Sequence, residues 1–198
     1  MKSVVLTLSL CLALSSHIAV ADVSKATFAG GCFWCMEHAF DGIIGVVSTR
    51  VGFIGGSTQN PTYFQVSNGG TGHTEAVEVA FEDKQISYGD LLKIFWKNVD
   101  PIDPGGQFCD RGDQYRSGIF YHSEVQKTQA DASKQALQKN AQFTDRIAVE
   151  VSAASTFTAA EKYHQQYYRK NPIRYKFYRY SCGRDQRLNT LWAADKAH

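Results

Sequence analysis

The 198-residue sequence has almost no excess of charge, no internal repeat and no low-complexity tract. Its 21 Lys and Arg residues nearly balance 19 Asp and Glu residues. The net charge of +2 gives no electrostatic reason to expect nucleic acid or an anionic membrane as a partner. Aromatic residues make up 13% of the chain, which argues against extensive disorder. The length is that of one globular domain with a sizeable core.

Long apolar runs are also absent, apart from one at the N-terminus. There Lys2 precedes the run Val4 to Leu14, and Ala19-Val20-Ala21 supplies the small residues of a cleavage site. This order of a basic residue, a short apolar run and an A-x-A site predicts a secretory signal peptide over residues 1–21. The mature chain, residues 22–198, is then expected to form one domain.

Two other interpretations of the N-terminal run are a membrane anchor and a lipoprotein signal. The run is short for a membrane span, and Leu10 is bulkier than the small residue that a lipoprotein signal has before its cysteine, here Cys11. We therefore expect an exported protein, periplasmic or secreted, with no membrane span after the signal is removed. Export permits disulfides, and the mature chain has these cysteines: Cys32, Cys35, Cys109 and Cys182.

Strand-like and helix-like patterns interleave along the mature chain and predict a mixed α/β layered domain. The predicted strands are Val23–Gly31, Gly45–Phe53, Thr74–Phe81, Ile119–Tyr121 and Ala148–Val151. The predicted helices are Cys32–Phe40, Ser87–Val99, Glu124–Gln142 and Thr158–Lys170, the last stopped by Asn171-Pro172. The longest irregular stretch, Asp100 to Arg116, is expected to be functional, because loops of that length are uncommon in a compact domain.

The most informative local feature is a Cys-x-x-Cys motif, Cys32 to Cys35, directly after Gly30-Gly31. At a strand-to-helix turn, the first N–H groups and the helix dipole are expected to lower the pKa of the Cys32 thiol. Cys35 lies one turn along on the same face, where it can resolve an oxidised Cys32 as a disulfide. Two buried thiols or a structural disulfide explain the same spacing. Zinc is disfavoured because the chain has no second Cys-x-x-Cys motif.

Four motifs, in order, resemble those of the peptide methionine sulfoxide reductase A family. They are Gly31-Cys32-Phe33-Trp34 with Glu37; Asn60-Pro61-Thr62-Tyr63 with Gly72 to Val77; Asp110-Arg111-Gly112 with Gln114 to Ser117; and Glu161 with His164 to Tyr167. The resemblance extends in order from about Ala26 to Trp192, nearly the whole mature chain. The resemblance implies a single-domain α+β fold, an α/β roll in which helices pack on a central mixed sheet. It also implies reduction of methionine-S-sulfoxide, free or in proteins, to methionine.

The resemblance implies roles for individual residues. Cys32 is expected to attack the sulfoxide sulfur and become a sulfenic acid. Glu75 is expected to protonate the oxygen, which requires a desolvated site that raises the pKa of its carboxyl. Tyr63 and Tyr115 match tyrosines that bind the sulfoxide oxygen. The substrate-binding residues are Phe33 and Trp34, as a wall for the S-methyl group, and Asp110, as an acid that helps to hold the substrate.

The resolving cysteine is less determined than the nucleophile. Family members often have Gly at the position of Cys35, and others carry resolving cysteines in a Gly-rich C-terminal tail. Cys35 is the local candidate because the helix turn fixes its separation from Cys32. Cys182 is the remote candidate and needs the C-terminus folded over the site. Cys109 stands where many members have Asn, and its role stays open.

The expected partners follow from the same resemblance. They are oxidised proteins, free methionine sulfoxide and a thioredoxin-type reductant, and a monomer is expected. We expect no metal and no bound organic cofactor, and we interpret His73 and His164 as hydrogen-bonding core residues rather than metal ligands.

Other functional classes explain part of the sequence. A thioredoxin-like thiol–disulfide oxidoreductase accounts for Cys32 and Cys35 but gives no role to Glu75, Tyr63 and Tyr115. A peptide-binding domain without catalysis would use the aromatic surface, and its activity would survive loss of Cys32. A structural zinc module is a further alternative, which metal analysis would test.

Overall fold

A computed structural model describes residues 22–140, 142–144 and 146–193. The predicted signal peptide, residues 1–21, lies outside this range. The strands are β1 Val23–Gly30, β2 Val46–Ile54, β3 Thr74–Glu82, β4 Gly106–Gln107, β5 Asp110–Arg111, β6 Ser117–Tyr121, β7 Glu150–Ala153 and β8 Thr158–Ala159. The helices are α1 Phe33–Phe40, α2 Tyr63–Ser67, α3 Tyr88–Lys97, α4 Glu124–Gln138, α5 Tyr167–Lys170, α6 Pro172–Ser181 and α7 Arg184–Leu191, with a 3₁₀ helix at Asp113–Tyr115. None of these described helices has the length and apolarity that a membrane crossing requires.

Six strands form one sheet in the order β7-β6-β1-β3-β2-β8. Strands β6 and β7 run parallel, and each other neighbouring pair in this sheet is antiparallel. The sheet is therefore mixed, and the helices pack against it. This architecture confirms the predicted α+β fold class.

The central strand β1 connects the core to the turn that follows it. Phe28 of β1 stacks on Phe40 of α1, with ring centroids 5.0 Å apart, and on Phe95 of α3 at 5.3 Å. All three rings are fully buried. Because β1 passes into α1 through two glycines, this packing fixes the turn that carries Cys32.

The predicted helices over residues 87–99 and 124–142 are present but end earlier, as α3 and α4. Each begins after a serine whose hydroxyl accepts an N–H from the first turn: Ser87 from Asp90 at 3.1 Å and Ser123 from Gln126 at 3.2 Å. The stretch expected to be one long loop, residues 100–116, contains the short hairpin β4-β5 and the 3₁₀ helix. These elements hold the loop in place beside the β1–α1 turn.

The predicted helix Thr158–Lys170 is wrong over most of its length. The segment begins as β8, continues through turns and becomes helical only at α5. The side-chain amide of Gln165 donates to the carbonyl oxygens of Val51 and Ala160, both at 2.8 Å, and accepts the N–H of Val51 at 2.9 Å. These bonds hold the segment against β2. Gln166 has a φ of 53°, which interrupts a right-handed helix.

Pro172 was expected to end a helix, and instead it begins α6. Proline suits the first helical position, where its missing N–H is not needed. Helices α6 and α7 then bring the C-terminal part of the chain back to the end of β1, where Arg184 donates to the carbonyl oxygen of Gly30 at 3.1 Å. The last described helices therefore lie against the turn that contains Cys32.

Candidate active site

The turn between β1 and α1 places Cys32 at the start of a helix. Cys32 is the N-cap residue of α1, and its carbonyl oxygen accepts the N–H groups of Cys35 at 3.1 Å and Met36 at 3.3 Å. Gly31 has a φ of +75°, and a Cβ at this position would lie 2.6 Å from the Cβ of Gln107. Glycine is therefore required here, because any side chain would displace the turn.

The Cys32 side chain opens into a small cavity of about 50 Å³. The other residues that line it are Phe33, Trp34, Tyr63, Glu75, Asp110, Tyr115 and Tyr178. The structure thus brings together the predicted nucleophile, the predicted acid, both predicted tyrosines and the three predicted substrate-binding residues. It adds Tyr178, which the sequence analysis missed.

Cys32 and Cys35 are free thiols that hydrogen bond to each other. Burial raises the pKa of the Cys32 thiol, and the Cys35 sulfur and the carboxyls of Glu75 and Asp110 raise it further. The hydrogen bond from Cys32 lowers the pKa of Cys35, and the positive charge of Arg184 lowers it further, while burial opposes both effects. The expected lowered pKa of Cys32 is therefore wrong for this state. These directions favour ionisation of Cys35 over ionisation of Cys32 in this state.

Glu75 is a buried carboxyl in β3, with an exposed fraction of 2%. Its Oε2 accepts the backbone N–H of Phe33 at 2.9 Å. Burial raises the pKa of Glu75 to about 8; the nearby Asp110 carboxyl adds to this rise, and the hydrogen bond from Phe33 opposes it. Glu75 is therefore protonated at neutral pH and can donate a proton into the cavity, as expected for a desolvated acid.

The two tyrosines reach the cavity from different elements. Tyr63 is the first residue of α2, a helix that the sequence analysis did not predict, and its N–H donates to Oε1 of Glu161 at 3.0 Å. Tyr115 ends the 3₁₀ helix. Burial raises the pKa of both phenols, and the Glu75 carboxyl adds to the effect. Both hydroxyls thus stay protonated and are available as hydrogen-bond donors.

An aromatic cluster holds the wall of the cavity in place. The ring of Trp34 stacks on Tyr167 at 3.8 Å, and its Nε1–H donates to Nδ1 of His164 at 3.1 Å. The Phe33 ring centroid lies 5.1 Å from that of His164. Burial lowers the pKa of His164 to about 4, so the ring is neutral and accepts this bond. His164 and the buried His73, which bonds to two backbone groups, both make the predicted core hydrogen bonds.

Tyr178 connects helix α6 to the acid at the rim of the cavity. Its hydroxyl donates to Oδ2 of Asp110, and its ring meets Trp34 edge-on with centroids 5.8 Å apart. Burial raises the pKa of Asp110, while the hydrogen bonds from Tyr178 and from the backbone of Cys32 oppose the rise. Nothing in the sequence distinguished Tyr178 from the other tyrosines of this aromatic-rich segment.

Comparison with known proteins identifies the family. The family model described as peptide methionine sulfoxide reductase matches residues 24–196. The chain belongs to this family. It is similar to the peptide methionine sulfoxide reductase MsrA of Bacillus subtilis, with 47% identity over 169 residues that cover 85% of this chain and 96% of that protein. The MsrA of Ligilactobacillus salivarius is 48% identical over 167 residues, which cover 84% of this chain and 96% of that protein.

Two solved structures from other organisms share the fold. Reduced Mxr1 from Saccharomyces cerevisiae has a TM-score of 0.72 and 31% identity, covering 77% of this chain and 88% of Mxr1. Methionine sulfoxide reductase A of Corynebacterium diphtheriae has a TM-score of 0.71 and 33% identity, covering 78% of each chain. The predicted family and enzyme class, an oxidoreductase of the peptide methionine sulfoxide reductase type, are therefore confirmed.

This member of the reductase family has a second pair of cysteines outside the cavity. Cys109 and Cys182 form a disulfide, which joins the end of α6 to the loop that carries Asp110. The sequence left the role of Cys109 open, and it offered Cys182 as a partner for Cys32. In the structure, Cys182 instead lies bonded to Cys109, and Trp34 and Tyr178 line both the Cys32 cavity and the groove beside this disulfide.

The same cysteines also lie close to a carboxylate. Oδ1 of Asp110 is 3.8 Å from Sγ of Cys109. Within the described residues, Asp110, Cys109 and Cys182 form the one cluster with the spacing of metal ligands. Its two sulfurs are bonded to each other, so they are not available to a metal in this state.

A buried arginine links the two cysteine pairs. Arg184 of α7 is 1% exposed, and within the described residues no carboxylate lies at ion-pair distance from it. Its guanidinium donates to the carbonyl oxygen of Gly30, two residues before Cys32, and lies 4.5 Å from the ring centroid of Phe108, which directly precedes Cys109. A buried cation favours a negative charge nearby. The positive charge of Arg184 lowers the pKa of Cys35 and opposes the rise in the pKa of Asp110.

Proposed function

We propose that the protein reduces methionine-S-sulfoxide, free or within oxidised proteins, to methionine, and thereby repairs oxidised proteins. The observation that carries the proposal is the meeting of a thiol, Cys32, and a protonated buried carboxyl, Glu75, in one aromatic cavity. A space of about 50 Å³ suits a methylsulfinyl group and leaves the rest of a methionine or peptide outside. Family membership supports the choice of the S epimer. The proposed chemistry uses no metal and no bound organic cofactor.

The substrate is held by the walls of the cavity before any bond changes. In the proposed complex the S-methyl group packs on aromatic rings, which suits a polarisable sulfur and its methyl group. The sulfoxide oxygen accepts hydrogen bonds from protonated groups. The residues in these roles are Phe33 and Trp34 for the methyl group, and Tyr63, Tyr115 and Glu75 for the oxygen. Asp110, held by Tyr178, supports the bound substrate at the rim.

In the chemical step, the sulfur of Cys32 attacks the sulfoxide sulfur. Its proton passes to Cys35, which is hydrogen bonded to Cys32 and is the more readily ionised of the two thiols. Glu75 transfers its proton to the oxygen as the sulfur–oxygen bond breaks, and it regains a proton from solvent. The oxygen bonds to the Cys32 sulfur as the transient bond between the two sulfurs breaks, so Cys32 becomes a sulfenic acid and methionine leaves. Two electrons thereby move from the Cys32 sulfur to the substrate sulfur.

Two disulfide steps are proposed to restore Cys32. The Cys35 thiol first displaces the sulfenic oxygen as water and forms a Cys32–Cys35 disulfide. A reduced Cys109–Cys182 pair then reduces that disulfide by exchange and becomes a disulfide itself. The arrangement in the structure, with Cys32 and Cys35 free and Cys109 bonded to Cys182, is the one that this exchange produces. The hydrogen bond between Cys32 and Cys35 supports Cys35 as the first resolving residue, and the disulfide in the structure supports Cys182, with Cys109, as the second pair.

The cycle closes when an external dithiol reduces the Cys109–Cys182 disulfide. We propose a thioredoxin-type protein as this reductant. Yeast Mxr1, a structural relative of this chain, has been solved in complex with Trx2. Three further parts of the proposal rest on sequence: cleavage of the predicted signal peptide, export to the periplasm or the exterior, and action as a monomer.

The test is turnover of each methionine sulfoxide epimer with dithiothreitol as reductant, comparing wild type with Cys32→Ser. We expect wild type to reduce the S epimer and not the R epimer, and Cys32→Ser to reduce neither, since a serine hydroxyl cannot form the sulfenic acid. A thioredoxin-like oxidoreductase is the second candidate because the Cys32–Cys35 spacing suits it, and reduction of insulin disulfides measures that activity. Substantial turnover by Cys32→Ser, or insulin reduction without sulfoxide reduction, would refute the proposal.

A further inference from the structure

Helix α6 exposes an apolar stripe beside the Cys109–Cys182 disulfide. Ile173, Phe177 and Tyr180 lie three and four residues apart and are 84%, 71% and 85% exposed. They account for three of the nine large hydrophobic side chains that are exposed in the described chain. The other six are distributed over other strands, helices and loops. Such a cluster on one ten-residue helix is typical of a surface that binds another protein.

The groove next to this stripe contains the disulfide. Its lining includes Arg174, Phe177 and Ser181 of α6 together with both sulfur-bearing residues, Cys109 and Cys182. The space in the groove is about 560 Å³, far larger than the cavity around Cys32. A macromolecule that covers the stripe on α6 is thereby brought against the disulfide, while Cys32 remains in a space too small for a protein to enter.

The geometry of the disulfide favours attack on one particular sulfur. The backbone N–H of Cys109 donates to Sγ of Cys182 at 3.2 Å. A hydrogen bond to a sulfur stabilises its thiolate and makes that sulfur the better leaving group. Cys109 is the exposed residue of the pair. An incoming thiolate should therefore bond to Cys109 and release Cys182.

The positive charge on helix α6 indicates the chemistry of the protein that binds there. Arg174 lies on the wall of the groove, and Lys176 is one residue before Phe177. Within the described residues, Arg174 makes no ion pair with a carboxylate. The surface thus combines apolar side chains with unneutralised positive charge, which suits a partner with an apolar patch and acidic residues around its reactive thiol.

We propose that the surface formed by Ile173, Phe177, Tyr180 and the adjoining groove is the docking site of a thioredoxin-type reductant. This proposal rests on the proposed function. The nucleophilic thiolate of the reductant attacks Sγ of Cys109, the sulfur–sulfur bond breaks, and Cys182 leaves as a thiolate that takes up a proton. The second thiol of the reductant then attacks the mixed disulfide and releases Cys109. Two electrons pass to the enzyme, and the reductant leaves as a disulfide.

The first test compares Ile173→Ser/Phe177→Ser with wild type and with Val125→Ser. Val125 is the matched control because it is a 68% exposed apolar residue on α4, a helix that packs against α3, β6 and β7. We expect the KM for a bacterial thioredoxin to rise by about tenfold or more in the double variant, since two apolar contacts are lost. Turnover with dithiothreitol should change by less than about twofold, because a small reductant needs no docking surface.

The second test does not depend on methionine sulfoxide turnover. A thioredoxin whose resolving cysteine is changed to Ser is mixed with the oxidised enzyme, and the mixed disulfide is mapped by mass spectrometry. We expect a link to Cys109, formed in lower yield with Ile173→Ser/Phe177→Ser than with Val125→Ser. Failure of the proposed function would instead appear as absent sulfoxide reduction with dithiothreitol, whatever the outcome of trapping.

Several results would overturn the docking site. One is an unchanged KM and trapping yield in the double variant, and another is a mixed disulfide at Cys32 or Cys35. A rise in KM for an oxidised protein substrate, with none for thioredoxin, would make the groove a substrate channel. A dimer of wild-type protein that dissociates in the double variant would make the stripe a contact between two copies of this chain.

Discussion

Replacement of Glu75 by Gln tests the role of a protonated carboxyl directly. Gln keeps the shape of the side chain and can still accept the Phe33 N–H, but it cannot transfer a proton to the sulfoxide oxygen. We expect single-turnover release of methionine to slow by about 10²-fold or more, the effect typical of a lost general acid. In wild type the rate should fall as pH rises through about 8, the pKa to which burial raises Glu75. The variant should lack this fall.

The same substitution should stabilise the protein, and the effect should depend on pH. Between the ordinary pKa of 4.5 and the folded value of about 8, the folded protein keeps the Glu75 proton while the unfolded chain has lost it. Wild-type stability therefore falls as pH rises through this interval, by about 1.4 kcal/mol per pH unit and by about 5 kcal/mol at most. Below the interval both states are protonated, and above it both are ionised. The Glu75→Gln variant has no such loss of stability, because the Gln side chain does not ionise.

Urea unfolding of both proteins across this pH range measures the difference. The gap in unfolding free energy between Glu75→Gln and wild type should widen from acid to alkaline pH and then stay constant. Glu37, whose pKa burial raises to about 7, is present in both proteins, so its contribution cancels in the comparison. A gap that does not change with pH would show that Glu75 is ionised in the folded protein. An unchanged methionine release would then leave it without a role as an acid.

Two further predictions concern the thiols and the second helix that reaches the cavity. Fully reduced wild type without added reductant should release about two methionines per chain, because each thiol pair supplies two electrons, whereas Cys35→Ala should release about one. Amino-acid analysis measures the methionine released, and equal yields from the two proteins would show that Cys35 takes no part in the reaction. Tyr178→Phe removes the hydrogen bond to Asp110, so the pKa of Asp110 should rise further. A hydrogen bond to a charged group contributes about 1.5–3 kcal/mol of stabilisation. Single-turnover release should therefore slow about tenfold, with its pH profile displaced, and an unaltered rate and profile would reduce Tyr178 to a packing residue.

The sequence predicted those parts of the site that lie within local motifs. The β1–α1 turn, the strand of Glu75 and the segment of Tyr63 are each recognisable from a few neighbouring residues. Their grouping around one cavity followed from a resemblance to a known family, because spacing along the chain does not give distances between strands. The burial that raises the pKa of Glu75 was expected. The lowered pKa of Cys35 was not, because it depends on the hydrogen bond from Cys32 and on the positive charge of a distant residue, Arg184.

The parts that were missed depend on contacts between distant segments. The Cys109–Cys182 disulfide joins residues 73 positions apart, and no periodic pattern indicates such a pair. The helical prediction over residues 158–170 failed because Gln165 bonds to the backbone of β2, a tertiary contact that overrides local spacing. Pro172 was ambiguous in the sequence, since proline follows the end of one helix as readily as it begins the next.

The cysteine pairs have a consequence for how the chain is made. Along the mature chain the cysteines occur in the order Cys32, Cys35, Cys109 and Cys182. Each proposed pair therefore joins two cysteines that are consecutive in this order. Of the three complete pairings of these four cysteines, this is the one that forms when thiols pair in the order in which they emerge, N-terminus first. A chain oxidised in this order would therefore form the Cys109–Cys182 disulfide of the structure without first passing through a mispaired bond to Cys32 or Cys35.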